Sequence, residues 1–420
     1  MQYDVVIIGA GSAGASTALS CARRGLRTLC LDARHLSRAG ASWINAIPRH
    51  CFTAAGITPP FGAEHVSEGA PFYLIAGWEG PSFRIPSDGL IEVDMRQLVD
   101  RLQREAIEAG AELRGRVAVR GLTEDGVAVD GEELKARVVV DASGMKGARL
   151  LAGPETPTAR TCIAAQAVHR IADPQAAAAF FTSRGHRPGD VMVFTGIAGG
   201  YSIVNITLHG DRVGILTGSI PGLGFPSGTR LLREFVAQQD WVGERLSGGA
   251  GAIPLAAPFV LARDRVALVG DAGSQVYAMH GSGVGAGLVA GSILAETLAN
   301  GGTPEDYATR WMRDHGGNFA RAFLFAMLSS TLSIDELTAL MGSGLMTPGL
   351  LADGLAQRTP RLRPRELPAL LTGVARQRHL IRKLAPLLAK MAAAEALYAT
   401  TPARRGREAW EQQVSRLLNG

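Results

Sequence analysis

The residues with the clearest chemical meaning lie near the start of the chain, where an apolar run, residues 5–8, leads into Gly9, Gly11, Ala13 and Gly14 of a G-x-G-x-x-G turn. In such a turn the first glycine permits a tight bend, the second lets the backbone approach a pyrophosphate, and the third lets the next helix pack closely. The helix N-terminus adds unpaired N–H groups and a favourable dipole. The spacing predicts a dinucleotide site and therefore redox chemistry.

A strand–turn–helix–strand unit surrounds this motif. Residues 16–24 are predicted to be helical, Gly25 ends the helix, and a second strand, residues 28–31, runs into Asp32 and Ala33. An acid at the end of the second strand can hold a ribose hydroxyl. We therefore place Asp32 and its neighbour Ala33 in the cofactor site.

Two later segments repeat the pattern of a buried strand that ends in a polar turn. Residues 138–140 lead into Asp141-Ala142-Ser143-Gly144, and residues 266–269 lead into Gly270-Asp271, with Gly283 twelve residues after the aspartate. With the opening turn, these motifs resemble the FAD-dependent monooxygenase superfamily with the para-hydroxybenzoate-hydroxylase fold. The Asp-Ala-Ser-Gly segment is most similar to its geranylgeranyl-reductase and tryptophan-halogenase branch. The resemblance covers about residues 1–300.

The resemblance implies bound FAD and assigns roles along it. The opening turn lines the pyrophosphate, Asp32 binds the adenosine ribose, and Asp271 holds the ribityl chain or pyrophosphate. The remaining expected cofactor contacts are Arg96, Val119 beside the adenine, Asp141, Gly144, Gly270 and, facing the isoalloxazine, Ser282, Gly283 and Val284. A helix N-terminus there can stabilise negative charge on the reduced ring. Two simpler interpretations remain open: Asp271 as a plain helix cap and Arg96 as a surface charge.

The chain departs from its relatives beside the expected flavin ring. Many relatives have a proline six or seven residues after the Gly-Asp aspartate, whereas this chain has Tyr277 and Ala278, followed by Met279 and His280. Imidazole titrates close to neutrality, so His280 is the candidate catalytic acid or base. The equal alternative is a packed loop residue.

Two specific chemistries are disfavoured by missing residues. Flavin-dependent halogenases use a lysine downstream of the glycine turn and a W-x-W-x-I-P motif, whereas this chain has four lysines, none before Lys135, and lacks the motif. Geranylgeranyl reductases have a Y-x-W-x-F-P signature, of which the run that begins at Tyr201 keeps only the tyrosine. Isoprenoid reduction is therefore weakened but stays open.

The leading functional prediction is an FAD-dependent monooxygenase, a hydroxylase that acts on an aromatic or apolar group and is reduced by NAD(P)H. The substrate is a small molecule, or a tryptophan or other group presented on a partner polypeptide or carrier. The alternatives are a flavin oxidoreductase that acts on a lipid-like chain and a flavin-binding assembly protein without turnover. An aromatic-friendly pocket is expected from Trp43, Phe72, Tyr73, Trp78, Phe194 and Tyr201.

Composition bounds these interpretations. Apolar residues make up 46% of the 420 residues, enough for a large core, and there is neither an apolar run of about 20 residues nor a signal peptide. The four cysteines show neither a CxxC pair nor a metal-like spacing, which fits a cytoplasmic protein without a metal site. Basic residues without interleaved aromatics do not suggest nucleic acid.

The net charge of +5 is uneven, because residues 358–420 contain thirteen Arg or Lys and four Glu. This basic segment is interpreted as the solvated face of helices or as a docking surface for an acidic protein or a membrane. The predicted fold is α/β: a discontinuous Rossmann-like FAD-binding domain (residues 1–160 and 252–303), an inserted, mostly antiparallel substrate sheet (161–251) and a C-terminal helical region (304–420).

Overall fold

The computed structural model describes residues 2–151 and 156–419, which form three sheets and a set of helices. The strands are β1 Gln2–Ile8, β2 Thr28–Asp32, β3 Ile44–Pro48, β4 His65–Glu68, β5 Phe72–Ala76, β6 Ser82–Ile85, β7 Leu90–Asp94, β8 Glu112–Gly115, β9 Val119–Leu122, β10 Gly126–Val129, β11 Glu132–Asp141, β12 Thr161–Ile171, β13 Val191–Thr195, β14 Ser202–His209, β15 Arg212–Ser219, β16 Val242–Pro254, β17 Ala262–Arg263 and β18 Val266–Leu268.

The helices alternate with the strands in the first half of the chain and follow one another in its last third. They are α1 Ser12–Ala22, α2 Arg49–Ala55, α3 Met95–Glu108, α4 Pro174–Thr182, α5 Gly228–Ala237, α6 Val284–Ala299, α7 Pro304–Trp311, α8 Gly317–Ser329, α9 Ile334–Gly342, α10 Pro348–Leu355, α11 Leu367–Arg376, α12 Arg378–Ala399 and α13 Arg407–Asn419. A π-helical turn, Met312–Gly316, joins α7 to α8. None of the described helices is long and apolar enough to span a membrane.

The first sheet has a parallel centre in the order β18-β11-β1-β2-β8, with β17 antiparallel at one edge and the β9–β10 hairpin beside β11. Its central strands are buried, as is typical of parallel sheets covered on both faces. The carboxyl ends of β1, β11 and β18 lie side by side, so the three polar turns predicted from the sequence meet at one edge of the sheet.

The second sheet is mostly antiparallel, in the order β16-β12-β15-β14-β13-β5-β6, and a small third sheet has the order β3-β7-β4. The parallel pair in the second sheet is β5 and β13, so residues 72–85 extend a sheet that is otherwise built from residues 161–254. The predicted α/β class, with a Rossmann-like sheet, an antiparallel sheet and C-terminal helices, is confirmed.

Helices α1 and α6 pack closely because small residues face each other between them. A Cβ on Gly291 would lie 2.4 Å from Thr17 Oγ1 and 3.1 Å from Thr17 Cα, and a Cβ on Gly287 would lie 3.0 Å from the Cβ of Ala13. Side chains at these glycines would separate the two helices. The glycine-rich sequence of α6 therefore sets how near this helix comes to the opening turn.

Local expectations failed where tertiary pairing decides the structure. Residues 35–60, expected to be irregular, include β3, which pairs with the distant β7, and α2, which begins directly after Pro48. The single strand expected over residues 113–119 is two strands, because the chain turns at Arg116 with a φ of 61°. Helix α4, which begins at Pro174, was not expected.

The α1–α6 contact gives a stability prediction. Gly291→Ala is expected to lower the free energy of unfolding by about 1–3 kcal/mol, because the added methyl overpacks the interface with Thr17. The matched control is Gly342→Ala, at an exposed helical glycine whose Cβ would meet nothing, and it should leave stability unchanged or slightly increased. Chemical denaturation of both variants measures the difference, and equal midpoints would contradict the close-packing interpretation.

Candidate active site

The opening glycine turn sits against the segment that follows β11. Gly9 has a φ of 101°, and a Cβ there would lie 2.5 Å from the carbonyl oxygen of Ala142. A Cβ on Gly14 would lie 1.7 Å from the carbonyl oxygen of Gly9, and one on Gly11 would lie 3.1 Å from the Cα of Gly40. The turn therefore has no room for side chains and exposes its backbone, as a phosphate-binding turn requires.

Asp32 is buried at the end of β2 and faces this turn. Its Oδ2 accepts a hydrogen bond from the N–H of Ala10 (2.9 Å), and its Oδ1 accepts one from the N–H of Arg34 (2.8 Å). The Asp32 carboxylate thus holds the backbone of the turn in place through hydrogen bonds. Its neighbour Ala33 is exposed. This position is compatible with the predicted contact to a ribose hydroxyl, which stays a prediction.

Arg96 and Val119 contact different parts of this region. The Nη1 of Arg96 donates to the carbonyl oxygens of Ser37 and Ala39, in the loop whose Gly40 packs on Gly11. Arg96 is therefore more than an isolated surface charge, because it anchors a wall of the turn. Val119 packs against the core cluster that contains Leu31. Contact of either side chain with FAD remains a prediction.

Asp141 uses its carboxylate to shape its own loop. The Oδ1 accepts hydrogen bonds from the N–H and Oγ of Ser143, and the Oδ2 accepts one from the N–H of Leu150 (3.1 Å). Gly144 has a φ of 84°. Asp141, Gly144 and Asp271 line a cavity of about 710 Å³ at the carboxyl edge of the first sheet.

Asp271 differs from Asp141 because, within the described part of the chain, no hydrogen-bond donor contacts its carboxylate. Burial raises its pKa to about 6. A Cβ on Gly283 would lie 2.9 Å from Asp271 Oδ1, so the carboxylate lies directly at the residue that precedes α6. Gly270, with a φ of 71°, brings the same turn against Ala13. The open carboxylate suits a partner with hydroxyl groups, such as a ribityl chain.

Residues 277–282 form a tight loop beside the second sheet. The N–H of Tyr277 donates to the carbonyl of Ser282 (3.0 Å), the N–H of Gly281 donates to the carbonyl of Tyr277 (2.9 Å), and the hydroxyl of Tyr201 donates to the carbonyl of Ala278 (3.0 Å). Tyr201 thus ties the loop to the strand side of the site. The loop ends at the N-terminus of α6, which begins at Val284.

Two polar atoms of this loop are buried and lack partners among the described residues: His280 Nε2 and Ser282 Oγ. Burial lowers the pKa of His280 to about 4, with a partial offset from the backbone of Gly354. The side chain is therefore neutral near pH 7, which differs from the expected titration close to neutrality. A catalytic role for His280 stays a prediction, now with a neutral imidazole.

A narrow cavity of about 70 Å³ lies between this loop and the second sheet. It has no Asp, Glu, Lys or Arg side chain in its described lining, which consists of Trp43, Asn45, Cys162, Ala164, Ala165, Gln166, Tyr201, Ile203, Leu216, Thr217, Gly218, Ile253, His280, Gly281 and Ser282. Burial raises the pKa of the Cys162 thiol to about 12, so it stays protonated. The cavity is apolar, with a few neutral polar groups at one end.

The expected aromatic pocket is only partly correct. Trp43 and Tyr201 line the narrow cavity, but Trp78 stacks between Phe194 and Phe235, and Tyr73 packs on His186 in the second sheet. Phe72 is also absent from the described lining. The physical reason is the strand order, because β16, β12, β15 and β14 line the cavity, whereas Phe72, Tyr73 and Phe194 lie on β5 and β13 farther along the same sheet. The sequence does not reveal this order.

Sequence reasoning missed two residues that close the site. The side-chain amide of Gln166 accepts from the N–H of Ile44 (2.8 Å) and donates to the carbonyl of Ile44 (3.1 Å). Gln166 therefore joins the second sheet to the third sheet beside the cavity. A Cβ on Gly354 would lie 2.7 Å from the Met279 sulfur, so α10 packs on the loop. A glutamine in a strand and a glycine in a short helix carry no sequence signal for these long-range contacts.

These features fit FAD. The glycine turn offers its backbone to a pyrophosphate, and Asp271 presents an open carboxylate. His280 and Ser282, in the 277–282 loop, have buried polar atoms without partners among the described residues. The family described as "DAO: FAD dependent oxidoreductase" matches residues 4–51, and this match supports a flavin-dependent oxidoreductase.

Comparison with known proteins shows which flavoproteins this chain resembles in sequence and in fold. The chain is 28% identical over 364 residues to digeranylgeranylglycerophospholipid reductase 2 of Methanopyrus kandleri, covering 81% of this chain and 90% of the relative. Its fold is similar to that of a geranylgeranyl bacteriochlorophyll reductase-like protein from Thermoplasma acidophilum (TM-score 0.71, 17% identity, 92% of this chain and 99% of the other). It is also similar to that of the flavin-dependent brominase Bmp2 (TM-score 0.64, 18% identity, 91% and 100%). The resemblance to the geranylgeranyl-reductase and halogenase branch is confirmed.

The open carboxylate of Asp271 gives a pH prediction for the FAD-free protein. Because the folded-state pKa of Asp271 is raised above its ordinary value of 3.8, the stability linked to protonation is fully present below about pH 4 and is lost as pH rises through about 6. Asp271→Asn should remove this loss, so the apoprotein becomes more stable at pH 7 while FAD binds more weakly. Thermal melts at several pH values and FAD titration measure the two effects.

The matched control for this experiment is Asp88→Asn, at an exposed aspartate outside the site. It should change neither the pH dependence nor FAD affinity. If Asp271→Asn instead destabilises the apoprotein at pH 7 and leaves FAD affinity intact, Asp271 acts as a plain structural cap.

Proposed function

We propose that this protein is a flavin-dependent reductase that saturates carbon–carbon double bonds in an isoprenoid-like chain carried on a lipid. The observation that carries the proposal is the narrow cavity at the 277–282 loop, whose described lining is uncharged and built from apolar, small and neutral polar side chains. An uncharged, largely apolar lining favours a hydrocarbon segment over a charged substrate. The Methanopyrus kandleri relative is named as a digeranylgeranylglycerophospholipid reductase, which supports the same class of substrate.

Saturation of a double bond needs a hydride and a proton at adjacent carbons. Bound FAD, in its reduced form, supplies the hydride chemistry. The chain's own residues provide an uncharged cavity and polar groups that can hold the proton. His280 and Ser282 line the cavity, and their side chains have polar atoms without partners among the described residues. Neither His280 nor Cys162 is charged near pH 7, so no fixed charge opposes an apolar chain.

The hydroxylase expected from the sequence has weaker support than this alternative. The similarity to monooxygenase structures, at 16–17% identity, is evidence for the fold and not for the reaction. The incomplete Y-x-W-x-F-P signature argued against reduction. The tyrosine that remains, Tyr201, nevertheless has a structural role, because its hydroxyl donates a hydrogen bond to the carbonyl of Ala278. Ile203, at the tryptophan position of that signature, lines the cavity, and Trp43 lines it from the other side. The cavity thus contains a tryptophan supplied by the residue that precedes β3.

The deciding experiment uses the purified holoprotein. The flavin is reduced without oxygen, first by NADH or NADPH and otherwise by dithionite, and is then mixed anaerobically with a geranylgeranyl-bearing lipid. Reoxidation of the flavin, together with a product that gains two hydrogens per double bond, is the expected result. Reoxidation only after oxygen is admitted, with one oxygen atom in the product, would establish the hydroxylase instead. Reduction by NAD(P)H tests that donor, which we propose for this enzyme.

Ile203 offers a test of the cavity itself. Ile203→Asp should lower the rate of flavin reoxidation by the lipid at least about tenfold, because a carboxylate in this uncharged cavity opposes an apolar chain. Ile203→Leu keeps the volume and is the matched control, expected within about threefold of the parent. FAD content and the rate of dithionite reduction should be the same in both variants. An unchanged rate for Ile203→Asp would show that the chain binds elsewhere.

A further inference from the structure

Helix α11 presents an apolar face to solvent. Leu367, Leu371 and Val374 stand at spacings of four and three residues, so they share one face of the helix, and all three are exposed, with 67% of Leu371 accessible. Two other leucines nearby along the chain, Leu362 and Leu388, are exposed as well. Nearly half of the large exposed apolar side chains in the described structure thus lie within residues 362–388.

Arginines lie on both sides of this apolar face. Arg361 and Arg365 precede α11, and Arg376, Arg378 and Arg382 end it or follow it; all five are exposed. Within residues 2–151 and 156–419 no carboxylate pairs with any of their side chains. The positive charge of this surface is therefore unneutralised.

Two further charged residues between Arg361 and Arg382 have partners within the protein. Glu366 is buried and accepts from the N–H of Gly349 (2.9 Å). Arg363 lies 3.2 Å from Asp353 and 3.9 Å from Glu366. Arg363 thus serves the structure of the α10–α11 junction, and the surface charge belongs to its neighbours.

We propose that α11 and its flanking arginines form a docking surface for a membrane that contains anionic lipids. A short helix with an exposed apolar face and basic flanks has the character of an interfacial helix, whose apolar face enters the boundary between headgroups and acyl chains. Each arginine near an anionic surface adds attraction. Three side chains on a ten-residue helix bury far less than the roughly 800 Å² per partner of a stable protein interface, which favours a lipid surface over an acidic protein.

This surface is continuous with the elements that close the candidate site. A Cβ on Gly344 would lie 2.8 Å from the carbonyl oxygen of Ala369, and one on Gly373 would lie 2.8 Å from that of Ser343, so α11 packs on the segment between α9 and α10. Helix α10 in turn packs on Met279 of the 277–282 loop through Gly354. Docking through α11 therefore brings the bilayer beside the helices that cover the site. The inference does not rest on the proposed reductase function, because vesicle binding needs no substrate or turnover.

The test is flotation of purified holoprotein with vesicles of phosphatidylcholine alone and with vesicles that also contain phosphatidylglycerol. Binding to the anionic vesicles that weakens with added salt is expected, with little binding to the neutral ones. Arg376→Glu combined with Arg378→Glu should lower the partition coefficient at least about 25-fold, taking about fivefold per charge. Leu371→Ser should lower it about tenfold.

Matched controls carry the same changes elsewhere on the surface. Arg187→Glu combined with Arg233→Glu, and Leu223→Ser, alter exposed residues away from α11 and should bind vesicles like the parent. FAD content and melting temperature confirm that every variant is folded. No flotation with anionic vesicles, or equal binding by the α11 variants and the parent, would overturn the proposal, as would saturable binding to an acidic protein without vesicle binding.

Discussion

The close approach of backbone to backbone at the opening turn is the constraint on which the rest of this structure depends. Gly14 lies so near the carbonyl of Gly9 that no side chain fits, and Gly9 meets Ala142 in the same way. These contacts hold the start of α1 against the carboxyl ends of β1 and β11. Through Gly287 and Gly291, α6 is then drawn onto α1, which fixes where its own N-terminus points. The position of the 277–282 loop follows from this packing.

The predictable part of the molecule is the part whose signals are local. A glycine turn between a buried strand and a helix, and two later strands that end in polar turns, were sufficient to indicate the parallel sheet and the cofactor. The second sheet was also predictable in outline, because its strands alternate with turn residues. By contrast, the pairing of β5 with β13 joins residues more than a hundred positions apart, and no local pattern encodes it.

The active-site half was harder to predict, because its groups acquire their properties from burial. His280 has an ordinary imidazole in the sequence, yet burial in the folded protein lowers its pKa to about 4. Gln166 is an unremarkable strand residue until its amide meets the backbone of Ile44 across two sheets. Which of the six aromatic residues line the cavity depended on the order of strands in the second sheet, which places β5 and β13 away from it. These outcomes require three-dimensional neighbours, which one sequence does not list.

The hydrogen bond from Tyr201 to the carbonyl of Ala278 has a consequence for how enzymes of this architecture diversify. The strand that shapes the substrate cavity and the loop expected beside the cofactor share this bond, so neither is free to drift alone. Substitutions that move β14 to accept a bulkier substrate chain would also move the peptide group of Ala278. The electrostatic environment of the flavin ring expected beside this loop would then change as well. Changes of substrate range should therefore arise as paired substitutions on strand and loop.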